Sequence, residues 1–506
     1  MTSSVTAETR SGRVRGTVEQ GVARYLGLPY AAPLDGAGWL LPAVPPAPWE
    51  GERDASAFGP TVPKPGYQGP VAEILTAEPD FPGAECLNLN VWAPAPGGDV
   101  AASGGAGGLP VFVWIHGGAF RNGSGRSGYY DGAAFARDGV VCVTINYRLG
   151  ALGFLDTGDE HTNLGLRDQI MALQWVRDNI AGFGGDPARV TVAGESAGGM
   201  SVGSLLASPL AQGLFAQAVL QSGAGHHAIT RETAQKVTRA LAERLGIEPT
   251  REGFASIDAG TLVDATTALD AEIQANPDPA AWGELTRNVM IFEPVIDGDV
   301  LPRLPIDAIR AGSGAGVRVL VGANADEARF FIVPGGLIDL LPEAALAPTA
   351  AKYGLPDPAA AVAAYREAEP DASPGDLFCR IMADWFFGIP AVRIAEARAQ
   401  GPAETFFYRF DEPSTALGGR LGACHAVELA FAFDNLHADG VTNLTGPAPS
   451  QAVADETHGA WVRFTRGEDP GWEPYLPART VRVFGGKGGT AVDPAPALRA
   501  LWDGVR

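Results

Sequence analysis

Lysine is nearly absent from this 506-residue chain, which has four lysines among 37 basic residues. With 58 acidic residues, the formal net charge is −21 at pH 7. Nucleic-acid binding relies on clustered lysine and arginine side chains that contact phosphates. Here the arginines are scattered through an acidic sequence, so we expect no nucleic-acid partner.

Long hydrophobic runs and cysteine pairs are also lacking. No apolar run approaches the ~20 residues of a membrane span, and the first residues lack the basic-then-apolar profile of a secretory signal. The four cysteines, at positions 86, 142, 379 and 424, form no C-x-x-C pair. We therefore expect free thiols, no membrane partner and a cytoplasmic location.

The residues that are present indicate a globular α/β protein. Hydrophobic residues make up 46% and charged residues 19% of the chain, which excludes a disordered or fibrous protein. Valine- and isoleucine-rich runs at 89–92, 111–115, 140–145, 190–193 and 317–321 predict strands buried on both faces, and the spacing over 165–180 predicts a helix. With no repeat or shift in composition, we expect one domain over residues 1–506, with a large, mostly parallel central sheet flanked by helices.

A candidate nucleophile lies in the pattern G-x-S-x-G at residues 194–198, where Ser196 is the central serine. The pattern directly follows the predicted strand at 190–193 and precedes a small-residue stretch able to begin a helix. A sharp strand-to-helix turn exposes the serine hydroxyl, and flanking glycines remove Cβ clashes. The alternative is an ordinary serine in a glycine-rich turn, and the strand context favours the nucleophile.

A second strand, at 111–115, ends in His116-Gly117-Gly118. Acyl transfer needs N–H groups aimed at the developing oxyanion, and glycine lets the backbone come close enough. We predict an oxyanion hole formed by the N–H groups of Gly117, Gly118 and Ala197, and we interpret His116 as a structural anchor of the loop. Residues 123–128 match G-x-G-x-x-G but lack the strand and helix of a dinucleotide site, so we interpret them as a flexible rim.

Residues 163–187, together with the run Gly-Glu-Ser-Ala-Gly-Gly at 194–199, strongly resemble the type-B carboxylesterases, the family that includes the cholinesterases. Further matches at 25–31, 86–91 and 294–298 extend the resemblance over essentially the whole chain. The resemblance implies an α/β-hydrolase fold and a serine triad that hydrolyses esters without a metal or cofactor. The resemblance further suggests p-nitrophenyl and p-nitrobenzyl esters as substrates, which bacterial relatives of this kind commonly accept.

The resemblance also implies the other triad members. The family's acid follows a strand in an Asp-Glu pair, which here gives Glu327, and its base lies in a G-x-x-H-x-x-E-L frame, which gives His425. The chain order Ser196, Glu327, His425 is the one expected of this fold. Asp326 and Asp434 remain alternative acids.

Two further features concern packing and the substrate. Arg148 and Asp168 are retained and predict an internal ion pair of the family.

Trp385 and Phe386 resemble a segment that lines the substrate gorge in relatives, with core packing as an equal alternative. The loop at 58–84 lacks the tryptophan on which cholinesterases stack a quaternary ammonium group, so choline esters are not expected.

These observations predict a serine carboxylesterase for small-molecule esters, aryl esters among them. The alternatives are a carbamate or amide hydrolase with the same triad, a non-catalytic binding member of the superfamily, and an interfacial lipase.

Overall fold

The computed structural model describes residues 3–75, 78, 80–97, 107–288 and 290–506. The strands within these ranges are β1 Ser3–Thr9, β2 Gly12–Glu19, β3 Val22–Pro29, β4 Glu52–Asp54, β5 Asn88–Pro94, β6 Leu109–Ile115, β7 Val141–Ile145, β8 Gly185–Glu195, β9 Gln217–Gln221, β10 Ile229–Thr230, β11 Val295–Ile296, β12 Arg318–Asn324, β13 Thr405–Phe410, β14 Thr480–Phe484 and β15 Gly489–Val492.

The α-helices of the same ranges are α1 Val71–Ile74, α2 Ala133–Arg137, α3 Gly150–Phe154, α4 Leu164–Asn179, α5 Ala197–Ala207, α6 Arg231–Leu245, α7 Arg251–Ala255, α8 Ala259–Ala275, α9 Pro279–Trp282, α10 Pro305–Arg310, α11 Arg329–Ile332, α12 Leu346–Lys352, α13 Pro358–Ala368, α14 Pro374–Ala383, α15 Ile389–Ala397, α16 Leu429–Ala432, α17 Thr442–Thr445, α18 Gln451–Thr465 and α19 Pro496–Leu501. A π-helical turn, Asp384–Gly388, joins α14 to α15. None of the described helices combines the length and the apolar character that a membrane crossing requires.

One large sheet organises the described part of the chain. Its strand order is β1-β2-β3-β5-β7-β6-β8-β9-β12-β13-β14-β15, with β4 added beside β2, while β10 and β11 pair separately. Neighbours from β7 through β14 run parallel, and the flanking pairs in this order are antiparallel. The predicted α/β-hydrolase architecture, with a large and mostly parallel central sheet, is confirmed.

The central strands are buried because helices cover both faces of the sheet. Every residue of β5, β6, β7 and β9 is buried, as expected for parallel strands between two helical layers. All five predicted strand runs lie, to within one residue, in strands of this sheet, and the predicted helix over 165–180 corresponds to α4. Its apolar stripe packs Leu166, Ile170, Leu173 and Val176 into the core.

Arg148 and Asp168 form an ion pair in the fully buried interior, with side chains at 0% exposure. The Arg148 guanidinium donates from Nε and Nη2 to the two carboxylate oxygens, at 2.8 and 2.6 Å. Its Nη1 donates to the backbone carbonyls of Trp39 and Leu41. The internal pair that the resemblance implies is therefore present, and it anchors the segment around residue 40 to the start of α4.

The four cysteines, Cys86, Cys142, Cys379 and Cys424, are all buried and none is disulfide-bonded. Burial raises the pKa of the Cys86 and Cys379 thiols to about 12. The thiols are therefore protonated packing groups, and the expectation of free thiols is confirmed.

Candidate active site

Ser196 lies at the turn between β8 and α5, near the middle of the sheet. Its backbone has φ +55° and ψ −124°, a conformation that is strained for a residue with a Cβ. The neighbouring glycines are sterically required, since a Cβ on Gly198 would lie 2.0 Å from the carbonyl oxygen of Ile115. The glycines of the G-x-S-x-G pattern therefore let the turn between β8 and α5 pack closely against the end of β6.

The turn opens into a cavity of about 270 Å³. Ser196, Gly117, Gly118 and His425 all line it. An aromatic wall completes one part of the lining, formed by Phe330, Phe331, Phe386 and Phe387. An apolar cavity with a few converging polar groups has the general form of a small-molecule site.

Glu327 and His425 are in direct contact inside the protein. Glu327 follows β12, and its Oε2 lies 2.6 Å from His425 Nδ1. The other oxygen, Oε1, accepts the backbone N–H of Asn324 at 2.8 Å, and the His425 N–H donates to the Glu327 carbonyl. A carboxylate at Nδ1 fixes the imidazole tautomer that leaves Nε2 free to accept a proton.

The second ring nitrogen of His425, Nε2, lies near Glu195 without a hydrogen bond to it, since Glu195 Oε1 has no donor among the described residues. Its Nε2 lies 3.1 Å from Glu195 Oε1, and in the described part of the chain no hydrogen bond joins it to the Ser196 hydroxyl. Ser196 directly follows Glu195, so the two candidate partners of Nε2 are neighbours in sequence. Hydrogen bonds in catalytic sites are often loose before substrate binds.

The oxyanion loop follows β6, the neighbour of β8. Gly118 has φ +113°, and a Cβ there would lie 2.3 Å from the Asn122 carbonyl oxygen. A Cβ on Gly117 would meet Glu195 at 2.9 Å. Because both positions exclude a side chain, the loop can lie against the turn that carries Ser196 and Ala197.

Comparison with known proteins identifies the family. The carboxylesterase family model matches residues 3–480. The para-nitrobenzyl esterase of Bacillus subtilis is 37% identical over 92% of this chain and 90% of its own length. The phenmedipham hydrolase of Pseudarthrobacter oxydans is 36% identical, with the same coverage of both chains. A crystal structure of a Geobacillus stearothermophilus carboxylesterase superposes with a TM-score of 0.84 at 39% identity, covering 98% of this chain and 99% of that one.

The chain belongs to the carboxylesterase family. It is a carboxylic ester hydrolase with the α/β-hydrolase fold, as the resemblance predicts.

Three buried carboxyl groups, those of Glu195, Glu327 and Glu428, act electrostatically on the His425 imidazole. Burial lowers the pKa of His425, but the charges of Glu195, Glu327 and Glu428 outweigh burial and raise the pKa to about 9. Burial raises the pKa of Glu195 to about 8 and that of Glu428 to about 7. Glu428 is held by Gln221 and Asn324. The acids therefore stabilise the imidazolium form of His425.

The alternative acids Asp326 and Asp434 make other contacts. Asp326 accepts the backbone N–H of Ala423 and pairs with Arg329. Asp434 pairs with Arg137. Of the acids considered from the sequence, Glu327 is the one in contact with the His425 imidazole.

His116 has the surroundings of a structural group. Its ring stacks on Tyr147, its Nδ1 lies 2.8 Å from the Gly117 carbonyl oxygen, and burial lowers its pKa to about 3. The ring is therefore neutral, and its position fits the interpretation as an anchor of the oxyanion loop.

The glycine-rich segment 123–128 is packed, and the interpretation as a flexible rim is wrong. A Cβ on Gly123 would lie 2.4 Å from the Gly117 carbonyl oxygen. Gly125 donates its N–H to the Asn146 side chain, and its carbonyl accepts from Thr144 and Asn90. These glycines allow the segment to pack beneath the oxyanion loop.

The π-helical turn separates the two candidate substrate-binding aromatics. Phe386 lines the cavity, whereas the Trp385 ring stacks on Tyr353 at 4.9 Å and under the Arg506 guanidinium. Phe387, the last residue of the segment 384–387 that resembles the gorge helix, also lines the cavity. Sequence reasoning missed Phe330, Phe331 and Glu195 as cavity residues. A signal was present for Phe330 and Phe331, which follow Glu327 by three and four residues, and the Phe330 N–H donates to the Glu327 carbonyl in the turn that leads into α11.

Proposed function

We propose that this protein hydrolyses small carboxylic esters, aryl esters included, through an acyl-enzyme on Ser196. His425 acts as the base and then the acid, and Glu327 orients its ring. The observation that carries the proposal is the 2.6 Å contact between His425 Nδ1 and Glu327 Oε2, in a buried pair beside the cavity that Ser196 lines.

In the first step, His425 turns Nε2 from Glu195 to the Ser196 hydroxyl and takes its proton as Oγ attacks the ester carbonyl. A serine hydroxyl is a weak nucleophile until an adjacent base accepts the proton. The negative oxygen that forms is stabilised by the N–H groups of Gly117, Gly118 and Ala197, each such donor contributing about 3 kcal/mol.

The intermediate then expels the alcohol, which leaves with the proton from His425 Nε2. Water attacks the remaining acyl-serine by the same route, with His425 again accepting the proton. The products are the carboxylic acid, the alcohol and the regenerated enzyme. Glu327 remains ionised throughout and stabilises the imidazolium.

A carbamate or amide hydrolase is the second candidate. A carbamate would react with the same groups to give a carbamoyl-serine. A non-catalytic binding member is the less favoured alternative, because this chain keeps Ser196, Glu327 and His425 together with the glycines of the loop.

We also propose that the chain acts as one catalytic domain and works in the cytoplasm. One sheet that contains both β1 and β15 supports the first point. The second is supported by four unpaired thiols, since extracellular proteins tend to pair their cysteines.

The test compares Ser196→Ala with Ser204→Ala in hydrolysis of phenyl acetate. Ser204 lies on α5 and hydrogen-bonds to the Met200 carbonyl, so it provides a matched serine outside the proposed chemistry. We expect Ser196→Ala to lower kcat by about 10⁴-fold or more, with Ser204→Ala close to wild type. Undiminished hydrolysis by Ser196→Ala would remove the nucleophile from the proposal. A jump in rate when the substrate forms micelles would indicate a lipase.

A further inference from the structure

The cavity has a polar wall that the proposed reaction does not use. We define it as Tyr67, Glu78, Asn122 and Ser127, which all line the cavity. It differs in chemistry from the aromatic wall of four phenylalanines. Polar groups that line a substrate cavity without reacting are available to recognise the rest of the substrate.

Glu78 is part of a buried ion pair. Its Oε2 lies 3.5 Å from Lys64 Nζ, and the two side chains are 9% and 1% exposed. This separation is too long for a strong hydrogen bond, and no other donor among the described residues reaches the oxygen. Burying two charges is rarely the most stable way to fill a protein interior. Ser127 also hydrogen-bonds the Glu78 carboxyl, so Oε2 is the acceptor atom of Glu78 that remains available to a ligand in the cavity.

Asn122 supplies a second acceptor. The residue is 4% exposed, and within the described residues its Oδ1 has no hydrogen-bond donor. Its backbone N–H donates to the Gly118 carbonyl at 2.8 Å, which fixes the residue beside the oxyanion loop. A buried acceptor without a donor destabilises the protein, and a bound N–H or O–H group would relieve that penalty.

The polar wall lies close to the proposed nucleophile. Burial and the charges of both Glu78 and Glu195 raise the pKa of Tyr67 and of Tyr130. These tyrosines therefore sit within electrostatic reach of Glu78 and of the residue directly before Ser196. The wall and Ser196 line the same cavity of about 270 Å³, so one small substrate can contact both.

The charge balance of the wall selects the kind of donor. Lys64 lies 3.5 Å from Glu78 and offsets its charge in part, so the wall chiefly offers hydrogen-bond acceptors to a ligand. A quaternary ammonium group has no hydrogen to donate and gains little from such a surface. An uncharged N–H or O–H group gains a hydrogen bond and requires no desolvation of a charge.

We propose that the polar wall binds an uncharged hydrogen-bond donor on the non-reacting part of the substrate. This protein then prefers esters that carry an N–H or O–H group, such as an anilide or a carbamate N–H, over identical esters without it. The inference rests on the proposed function and adds a specificity-determining site, built on Glu78 and Asn122, to it.

The experiment uses ester pairs that differ by one methyl group. Phenyl acetates with a 3- or 4-acetamido group, and their N-methyl amides, place or remove the donor on the alcohol side. The 4-nitrophenyl esters of 4-acetamidobutanoate and its N-methyl amide do the same on the acyl side. We expect kcat/KM to favour the N–H member of at least one pair by about tenfold. Equal kcat/KM values in every pair would overturn the proposal.

Variants then assign the preference to the wall. In Lys64→Met/Glu78→Leu, which removes both charges together, we expect the N–H to N-methyl ratio to fall towards one. The matched control is Lys236→Met/Glu232→Leu, because these residues form the same type of ion pair at 3.3 Å on the surface of α6. The control should keep the wild-type ratio. A ratio that survives in the Lys64/Glu78 variant would overturn the assignment.

A second measurement does not depend on folding of the double variant. A crystal structure of Ser196→Ala with the preferred N–H ester should place the amide nitrogen about 3 Å from Glu78 or Asn122. An amide bound elsewhere would contradict the proposal. Failure of the proposed function would look different. In that case Ser196→Ala would hydrolyse plain phenyl acetate as fast as the wild type.

Discussion

His425 Nε2 lies 3.1 Å from the carboxylate oxygen Oε1 of Glu195. Glu195 directly precedes Ser196, the serine that we propose as nucleophile. The proposed base is thus in contact with an acid at each ring nitrogen, Glu195 at Nε2 and Glu327 at Nδ1. This arrangement stabilises the protonated ring, while catalysis needs the neutral one.

The first prediction is that activity falls away on the acid side at a higher pH than for an ordinary histidine. The neighbouring carboxylates raise the pKa of His425 to about 9, compared with about 6.5 in model peptides. A base works only when neutral, so kcat/KM should rise with pH through this value and be lost below it. Glu195→Gln removes one of the charges and should move the midpoint to lower pH. Phenyl acetate hydrolysis measures it, with the exposed Glu232→Gln as control, and an unmoved midpoint in Glu195→Gln would count against the coupling.

The second prediction separates two adjacent acids. Glu327→Gln should lower kcat by about 10⁴-fold, because an amide at Nδ1 favours the wrong tautomer of His425. Asp326→Asn is the matched control, and it should lose less than about tenfold, since its contacts are to Ala423 and Arg329 and its effect is on stability. Steady-state kinetics and thermal unfolding of both variants give the comparison. The reverse order of losses would assign the acid to Asp326.

The third prediction concerns the oxyanion loop. In Gly118→Ala the new Cβ would collide with the Asn122 carbonyl, 2.3 Å away, and displace the N–H donors. The expected loss in kcat is about 10²–10³-fold. Gly21→Ala is the matched control because Gly21 also has a positive φ, +80°, but has open space around it. It should cost about 1 kcal/mol of folding free energy and leave kcat unchanged. Equal kinetic effects in the two variants would argue against the loop assignment.

The fourth prediction is a change in substrate size preference. Phe386→Ala removes a ring from the cavity lining and should raise kcat/KM for hexanoyl relative to acetyl 4-nitrophenyl esters by about tenfold. Phe254→Ala removes a ring that is also buried, but in α7 and outside the cavity lining. It should lose stability and keep the chain-length profile. A profile unaffected by Phe386→Ala would show that this ring does not limit the site.

The sequence was most informative where one local pattern determines the structure. The strand before Ser196 and the glycines around it predict the turn, because a buried parallel strand and a tight turn each leave a local signal. Glu327 and His425 have no such local signal, and their assignment depends on sequence motifs shared with the family. The sequence did not reveal strand β9, because its five residues begin and end in glutamine. This strand lies between β8, which precedes Ser196, and β12, which precedes Glu327, and so separates the two strands.

The sequence was least informative about which side chains share the cavity. The contact between His425 and Glu195 depends on how a long loop after β13 returns to the end of β8, and no periodicity encodes that. The π-helical turn has a similar effect on Trp385 and Phe386. Consecutive side chains of a helical turn point in different directions, and of these two only Phe386 lines the cavity.

The burial of all four cysteines makes the fold independent of its redox surroundings. The sulfur atoms contribute to packing, and no disulfide contributes to the free energy of unfolding. Dithiothreitol and oxidised glutathione should therefore leave both the melting temperature and the esterase rate unchanged. A melting temperature that drops on reduction would reveal a crosslink that four separate thiols cannot form.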